Sequence, residues 1–196
     1  ISNRLFPGPQ IHAGSLDVST VKVLVGMTVG EKCLGRAKEL VKEWTAERFH
    51  FMFFVYDGSD WSELEALTNV KTFHNKQLKM WHYKEYVTPD AVEGYDYFFL
   101  VDCDVGLEPF DVNQYLGIIK HFSIPISQPS VEWGALKDRS SDHRVCRNHG
   151  SNHHGRWVSF VECGPFVAFK AKAWTCIYPL VQGDLGSGWG MDYKWC

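Results

Sequence analysis

The chain has 196 residues and a formal net charge of −3 at pH 7. This charge argues against a nucleic-acid-binding protein, because such proteins hold the phosphate backbone with a basic face. No apolar run has the length that a membrane-spanning helix needs. The length suits a single domain with a sizeable core.

The sequence leaves the cellular compartment open. The chain starts at Ile1 without a Met and without a visible secretory signal peptide. An anchor upstream of Ile1 would place the protein in the Golgi lumen, and otherwise we expect it in the cytoplasm. The six cysteines show no Cys-X-X-Cys spacing, so free thiols and disulfides are both open alternatives.

In chain order, the pattern predicts alternating strands and helices after an extended lead-in at 1–20. Strands are predicted at 21–25, 51–55, 70–73, 95–101, 124–127 and 157–169. Helices are predicted at 31–49, 76–86, 112–122 and 171–178, with Asp111 as the N-cap of the third. A turn is expected at 26–30 and a polar loop or lid at 132–156. Strand, helix and strand at this spacing predict an α/β fold.

The predicted strand at 95–101 ends in two carboxylates, Asp102 and Asp104. Open α/β sheets bind ligands at the carboxyl ends of their strands. Two carboxylates this close repel each other unless a cation lies between them. An ion with oxygen ligands, Mg²⁺ or Mn²⁺, is the simplest such cation. The side chain of Cys103, between the acids, is expected to point to the opposite face of the strand end, without a catalytic role.

Three further side chains are candidates for binding a nucleotide. Asp57 follows the predicted strand at 51–55, where it would meet a base or ribose, although Asp-Gly is also a common turn. Lys79 and Lys84 lie on the helix before the acidic motif, and either could meet a phosphate as a point charge. Both lysines could equally be solvated surface residues.

The second acidic motif is Gly-Trp-Gly-Met-Asp at 188–192. The glycines, including Gly190, would let the backbone approach a sugar, and Trp189 would offer it an apolar face. Asp192 could then take a proton from an acceptor hydroxyl as a general base. Glu162 lies in the predicted strand at 157–169, either in the cleft with an acceptor or on a solvated face. In the loop, Cys146 and His149 are a weaker alternative that could seed a zinc site.

Several segments in the same order resemble the family called domain of unknown function 707, which is thought to be glycosyltransferase-like. They include Phe-Val-Tyr-Asp-Gly at 54–58, Lys-Met-Trp at 79–81, Tyr-Asp-Tyr-Phe-Phe-Leu at 95–100, Ile-Ser-Gln-Pro at 126–129 and the motif at 188–192. The resemblance implies a single GT-A-like (Rossmann-like) domain at 21–196 with a central mixed, mostly parallel sheet flanked by helices. Its nucleotide-binding half would be 21–106 and its acceptor half 107–196.

The same resemblance implies a metal and nucleotide motif at Asp102 and Asp104 and a catalytic base at Asp192. Cys103 departs from the family pattern, which usually has an acid there, and the family continues beyond Cys196, so we expect a truncated domain. The hypothesis is a metal-dependent glycosyltransferase that moves a sugar from a nucleotide-diphosphate sugar to a carbohydrate or glycan acceptor, with inversion. The alternatives are an inactive nucleotide- or sugar-binding module and a metal-dependent hydrolase.

Overall fold

The computed structural model describes residues 5–7, 16–107, 110–133, 143–145, 153–156, 158, 161–185, 188 and 190–195. The strands are β1 Leu5–Pro7, β2 Val23–Val29, β3 Phe49–Val55, β4 Val70–His74, β5 Tyr97–Val101, β6 Val105–Gly106, β7 Ile126–Ser127, β8 Val131–Trp133, β9 His143–Val145, β10 His153–Arg156 and β11 Phe166–Lys170. The α-helices are α1 Leu34–Glu43, α2 Ser62–Glu65, α3 Lys79–Tyr86, α4 Val112–His121, α5 Ala171–Ile177 and α6 Asp192–Trp195. Single turns of 3₁₀ helix lie at Glu31–Cys33, Asp90–Val92 and Tyr178–Leu180.

A six-stranded mixed sheet lies at the centre, in the order β4-β3-β2-β5-β11-β7. Strand β2 pairs in parallel with both β3 and β5, and β3 pairs in parallel with β4. Strand β11 runs antiparallel to β5 and to β7. This confirms the predicted α/β class with a mixed, mostly parallel sheet flanked by helices. The strand order reverses between β2 and β5, so their carboxyl ends flank the crevice where such sheets bind ligands.

Helices cover both faces of the sheet. Helices α1, α2 and α4 pack on one face through residues such as Leu40 and Leu116, together with Phe99 of β5. Helices α3, α5 and α6 pack on the other face through residues such as Trp174, together with Phe98. Adjacent residues of β5 therefore enter opposite cores, as the two-residue period of a strand requires. This double burial explains why the strand sequences are nearly continuous apolar runs.

The turn predicted at 26–30 is wrong, because β2 continues through Gly26 to Val29. A Cβ at Gly26 would lie 2.8 Å from the ring of Tyr83 and 3.1 Å from that of Phe98. Glycine is thus required by the close approach of α3 to the strand, and it does not mark a turn. The helix predicted at 31–49 ends earlier, at Glu43, because Trp44 has extended backbone and packs on Phe49 with ring centroids 5.0 Å apart.

The helix predicted at 112–122 is confirmed. It begins after Asp111, whose Oδ1 accepts hydrogen bonds from the backbone N–H groups of Asn113 and Gln114, both at 3.0 Å. The side chain therefore caps two of the helix's unpaired donors.

The loop predicted at 132–156 is wrong in the part that the structure describes. Strand β9 pairs with β8 and β6 in a small three-stranded sheet. Strand β10 pairs with β1, which lies within the predicted lead-in. Cys146 and His149, on which the zinc alternative depends, lie outside the described residues. Of the described helices, none is long and apolar enough to cross a membrane.

His82 of α3 is a buried titratable group away from the crevice. Its side chain is 0 % exposed and stacks on Phe54, with ring centroids 5.3 Å apart. Neither ring nitrogen has a hydrogen-bond partner among the described residues. Burial lowers the pKa of His82 below its usual value, because it removes the water that would stabilise the charged ring, and the nearby backbone of Gln77 opposes this shift only in part.

The buried His82 predicts a loss of stability in acid. Below pH 6.5 the unfolded chain binds a proton that the folded chain excludes, so the free energy of unfolding falls as the pH drops through this range. The slope from this group is at most about 1.4 kcal/mol per pH unit. We expect His82→Phe to keep the stacking and to flatten the profile between pH 6.5 and 5, measured by urea unfolding. His121→Phe, at an exposed position, is the control, and equal slopes for His82→Phe and the wild type would contradict the assignment.

Candidate functional site

The crevice between β2 and β5 is where the predicted acidic residues emerge. Asp102 follows the last residue of β5, and Asp57 lies two residues after the end of β3. Lys79 begins α3, and Asp192 begins α6. Because β2, β3 and β5 are parallel, the segments that follow them lie at the same edge of the sheet.

Asp102 forms an ion pair with Lys79. The two side chains are 30 % and 22 % exposed, respectively, so the pair lies partly out of water. The ammonium group of Lys79 also donates to the carbonyl oxygen of Cys163 at 3.2 Å. The backbone N–H of Asp102 donates to the carbonyl oxygen of Pro165 at 2.7 Å. Asp102 is therefore held through its side chain by α3 and through its backbone by the segment before β11.

Asp192 approaches the same segment from α6. Its Oδ2 accepts from the backbone N–H of Cys163 at 3.4 Å, and its Oδ1 accepts from the N–H of Tyr193 at 3.0 Å. The two polar groups of the Cys163 backbone thus contact the two predicted motifs, one through Lys79 and the other through Asp192. Asp192 and the ion pair of Asp102 with Lys79 therefore meet at the backbone of Cys163.

The surroundings of Cys163 shift the pKa of its thiol. Burial raises its pKa to about 11, the charge of Lys79 opposes the rise, and the charges of Asp192 and Asp102 add to it. The thiol is consequently protonated at neutral pH, and we assign it no nucleophilic role. Its sulfur lies 3.7 Å from that of Met80, in the core between the sheet and helices α3, α5 and α6.

Tyr83 and Gly164 pack close to the ion pair of Asp102 and Lys79. Tyr83 is fully buried, its hydroxyl donates to the carbonyl of Gly26 at 3.0 Å, and burial and the charge of Asp102 hold its pKa above the usual value. Gly164 lies against the ion pair, since a Cβ there would be 2.5 Å from Oδ2 of Asp102 and 3.0 Å from Nζ of Lys79. Only a residue without a side chain leaves the pair in place at that position.

Asp57 organises the loop after β3. Its Oδ2 accepts from the N–H of Glu31 at 2.8 Å, and its Oδ1 accepts from the hydroxyl and the N–H of Ser59 at 2.6 and 3.1 Å. The bonds from Ser59 and Glu31 hold the pKa of Asp57 below its usual value, so it is ionised at neutral pH. Asp57 also lines a surface cleft of about 510 Å³, together with Trp61 and Lys38. Both the turn and a cleft-facing role predicted for Asp57 are compatible with this position.

The other predicted residues are placed as follows. Lys84 donates to the carbonyl of Tyr178 at 3.0 Å and lies 4.3 Å from the centre of its ring, so Lys79 is the lysine that contacts the acidic motif. Asp104 is exposed on the turn after Asp102, and Gly190 is exposed with a φ of +90°. Trp189 lies outside the described residues.

The strand predicted around Glu162 is wrong, because β11 begins only at Phe166. Residues 161–165 are irregular, and Glu162 is exposed there, with its N–H donating to Oε1 of Gln128 at 3.0 Å. Gly164-Pro165 is the turn signal that could have predicted this late start. Nothing in the spacing pointed to Cys163 and Gly164 as contacts of the acidic motifs, since they are more than 60 residues from Asp102 in the chain.

The donors present fit an Mg²⁺ or Mn²⁺ ion that is held by two carboxylates and whose remaining ligands are water or substrate oxygens. Among the described residues, no group of three or more His, Cys, Asp or Glu side chains is placed to share a metal ion. Asp102 and Asp104 offer carboxylate oxygens, and Mg²⁺ is commonly held by one or two carboxylates together with phosphate oxygens and water. A cation here would compete with Lys79 for Asp102.

Sequence comparison gives a family match over nearly the whole chain. The family model described as Protein of unknown function (DUF707) matches residues 6–196, which confirms the resemblance identified from the motifs. No curated protein sequence matches the chain. Among solved structures, the chain is similar to the apo form of the glycosyltransferase GlyE of Streptococcus pneumoniae TIGR4, with a TM-score of 0.37 and 12 % identity. The match covers 80 % of this chain and 36 % of that one.

Because Gly164 lies against Asp102, we expect the effects of substitutions at these two positions on the free energy of unfolding to be coupled. A methyl group at this position would displace the ends of the two charged side chains, so we expect Gly164→Ala to cost about 1 kcal/mol in the free energy of unfolding. In an Asp102→Ala background the same substitution should cost much less, because its nearest neighbour is gone. Urea unfolding of the four proteins measures this.

Gly35→Ala is the control for this cycle, because Gly35 lies in α1 with nothing within 4 Å of its Cβ position. It should be neutral or stabilising by up to about 1 kcal/mol. Equal costs of Gly164→Ala in the two backgrounds would show that the ion pair does not fill this space.

Proposed function

We propose that this chain, which belongs to the DUF707 family, is a glycosyltransferase that moves a sugar from a nucleoside-diphosphate sugar to an acceptor hydroxyl with inversion. One observation carries the proposal: Lys79, paired with Asp102, and Asp192 both hydrogen bond to the backbone of Cys163. The ammonium group of Lys79 could bind the negatively charged diphosphate of a donor. Asp192, on the other side of the Cys163 backbone, could act as the base for an acceptor hydroxyl. The α/β sheet with its crevice at the switch point is consistent with the GT-A-like fold that the motifs imply.

On the donor side, Lys79 is the resident cation. Its ammonium group would neutralise part of the negative charge that develops as the nucleoside diphosphate leaves. Asp102 and Asp104 would hold a divalent Mn²⁺ or Mg²⁺, which when bound supplies further positive charge to the diphosphate. Asp57, which lines the neighbouring surface cleft with Trp61 and Lys38, would contact the base or ribose of the nucleoside. Of the two lysines, the contact with Asp102 favours Lys79 over Lys84 as the phosphate ligand.

On the acceptor side, Asp192 would take the proton from the attacking hydroxyl. The hydroxyl oxygen then forms the new bond to the anomeric carbon as the bond to the diphosphate oxygen breaks on the opposite face, which inverts that carbon. Asp192 has a partly exposed side chain, so an acceptor can reach it. Glu162, exposed beside Cys163, and Gly190 and Trp189, which precede the base in the chain, are the acceptor-binding candidates.

The experiment that tests this function is a donor and acceptor screen by mass spectrometry in the presence of Mn²⁺. We expect sugar transfer by the wild type and a loss of about 10²-fold or more in kcat for Asp192→Asn, the scale of general base catalysis. Binding of the nucleoside diphosphate should be unchanged in that variant. Asp184→Asn, an exposed acid of the same region, is the matched control.

Two results of this screen would contradict the proposal. The first is no transfer or hydrolysis of any donor, with the wild type no better than Asp102→Asn. The second is metal-dependent binding of a nucleotide without turnover, which would favour the inactive binding module.

The two lysines give a second, independent prediction. Lys79→Met should weaken binding of UDP, GDP or ADP about tenfold, because it removes a charge-assisted contact and leaves Asp102 facing the diphosphate. Lys84→Met, on the same helix, should leave this affinity unchanged, because its ammonium group is occupied by Tyr178. Isothermal titration of the preferred nucleotide measures both. Equal effects of the two substitutions would remove Lys79 from the donor site.

A further inference from the structure

A disulfide joins the acidic turn to the start of α1. Cys103, the one residue between Asp102 and Asp104, is bonded to Cys33, with the Cα atoms 5.7 Å apart and a sequence separation of 70. Cys33 lies just after β2, and Cys103 just after β5. The bond therefore crosses the switch-point crevice and fixes the two segments that flank it.

A second contact holds the same turn. Nη1 of Arg36, one turn into α1, lies 3.4 Å from the carbonyl oxygen of Cys103, to which it donates. On the other side of the turn, the N–H of Asp102 donates to Pro165. Cys103 itself packs against the core between the sheet and helices α1, α2 and α4, whereas Asp102 pairs with Lys79 of α3 on the opposite face. The turn is thus anchored to both faces of the sheet.

These contacts constrain the carboxylates directly. Asp104 is exposed and carries the same charge as Asp102, and Lys79 pairs with Asp102 and so offsets their repulsion only in part. A turn held only by its own backbone would relax by moving the exposed acid away. The disulfide and Arg36 oppose that movement at the one residue that separates the two acids.

We propose that Cys33 and Cys103 are positioning residues of the donor site, whose disulfide holds Asp102 and Asp104 at the separation that binds a divalent cation. This role rests on the proposed function, since it assigns the cation to these two acids. It goes beyond stabilisation of the fold, because it makes metal affinity depend on a bond that contacts no ligand. Substitution of residues that orient metal ligands without touching the metal commonly lowers metal affinity about 10- to 100-fold, so we expect about a tenfold loss.

The first measurement is the bond itself. A digest of the non-reduced protein, analysed by mass spectrometry, should contain the peptides of Cys33 and Cys103 as one linked species. Recovery of both as free thiols from protein kept under air would overturn the proposal.

The second measurement is the affinity for Mn²⁺ alone, by titration followed with electron paramagnetic resonance. We expect about tenfold weaker binding for the double variant Cys33→Ser, Cys103→Ser than for the wild type. Cys176→Ser, at an exposed free thiol, should bind as the wild type does. All proteins are compared at a temperature where their circular dichroism is native.

Reduced wild-type protein keeps the test valid if the double variant does not fold. A water-soluble phosphine reduces the bond: phosphorus gives two electrons to the disulfide, and water supplies two protons to the thiols and its oxygen to the phosphine oxide. After the phosphine is removed without air, the folded, reduced protein should show the same loss of Mn²⁺ affinity. Arg36→Met should show a smaller loss, with the disulfide intact.

The outcomes separate this proposal from the proposed function. If the oxidised wild type binds Mn²⁺ and the reduced or substituted protein binds it equally well, the positioning role is wrong and the donor site stands. If the affinity falls only in step with loss of native circular dichroism, the bond is structural and the positioning role is again wrong. If the oxidised wild type binds no Mn²⁺, the metal assignment of the proposed function fails, and the positioning role fails with it.

Discussion

The burial of β5 on both faces is the constraint on which the rest of the site depends. Its residues from Tyr97 to Val101 are at most 3 % exposed, because they alternate between two helix-covered cores. No charged side chain can enter such a strand without a large desolvation cost. The first carboxylate therefore appears where the strand leaves the cores, at Asp102, and the parallel pairing with β2 places it at the switch-point crevice. The position of the acid is a consequence of packing, not of the turn that follows.

The charge balance of the crevice follows from the same geometry. Asp102 is partly buried, so its carboxylate needs a cation nearby, and Lys79 at the start of α3 supplies it. Lys79 also donates a hydrogen bond to the carbonyl oxygen of Cys163, and Asp192 accepts one from the N–H of the same residue. The segment before β11 is consequently a polar backbone spacer between two acids. It lies between the two acids, and under the proposed function it would separate the donor side from the acceptor side.

Much of this architecture is local and was therefore predictable. The strand at 51–55 and the helix capped by Asp111 follow from periodicity and capping chemistry, and the acids follow directly from the end of an apolar run. Features set by distant contacts were not predictable. Gly26 looked like a turn because the ring that excludes its side chain belongs to Tyr83, 57 residues away. The pairing of β9 with β8 and β6 has no pattern in its polar sequence, and Lys79 and Lys84 could not be separated until their partners, 84 and 94 residues away, were known.

Cys103 stands between Asp102 and Asp104, where the family resemblance led us to expect an acid. This difference leaves the charged groups on the Lys79 side of the turn unchanged. An acid at position 103, which the family resemblance led us to expect, would project to the face opposite Asp102, because successive side chains at a strand end alternate. It would lie toward α1, away from Lys79, so its charge would add repulsion within the turn without adding a ligand beside Asp102. Cys103 removes that repulsion and uses the same direction to reach Cys33. The side of the turn that faces α1 therefore carries a disulfide and no third charge, and Asp102, Asp104 and Lys79 remain available for the proposed donor site.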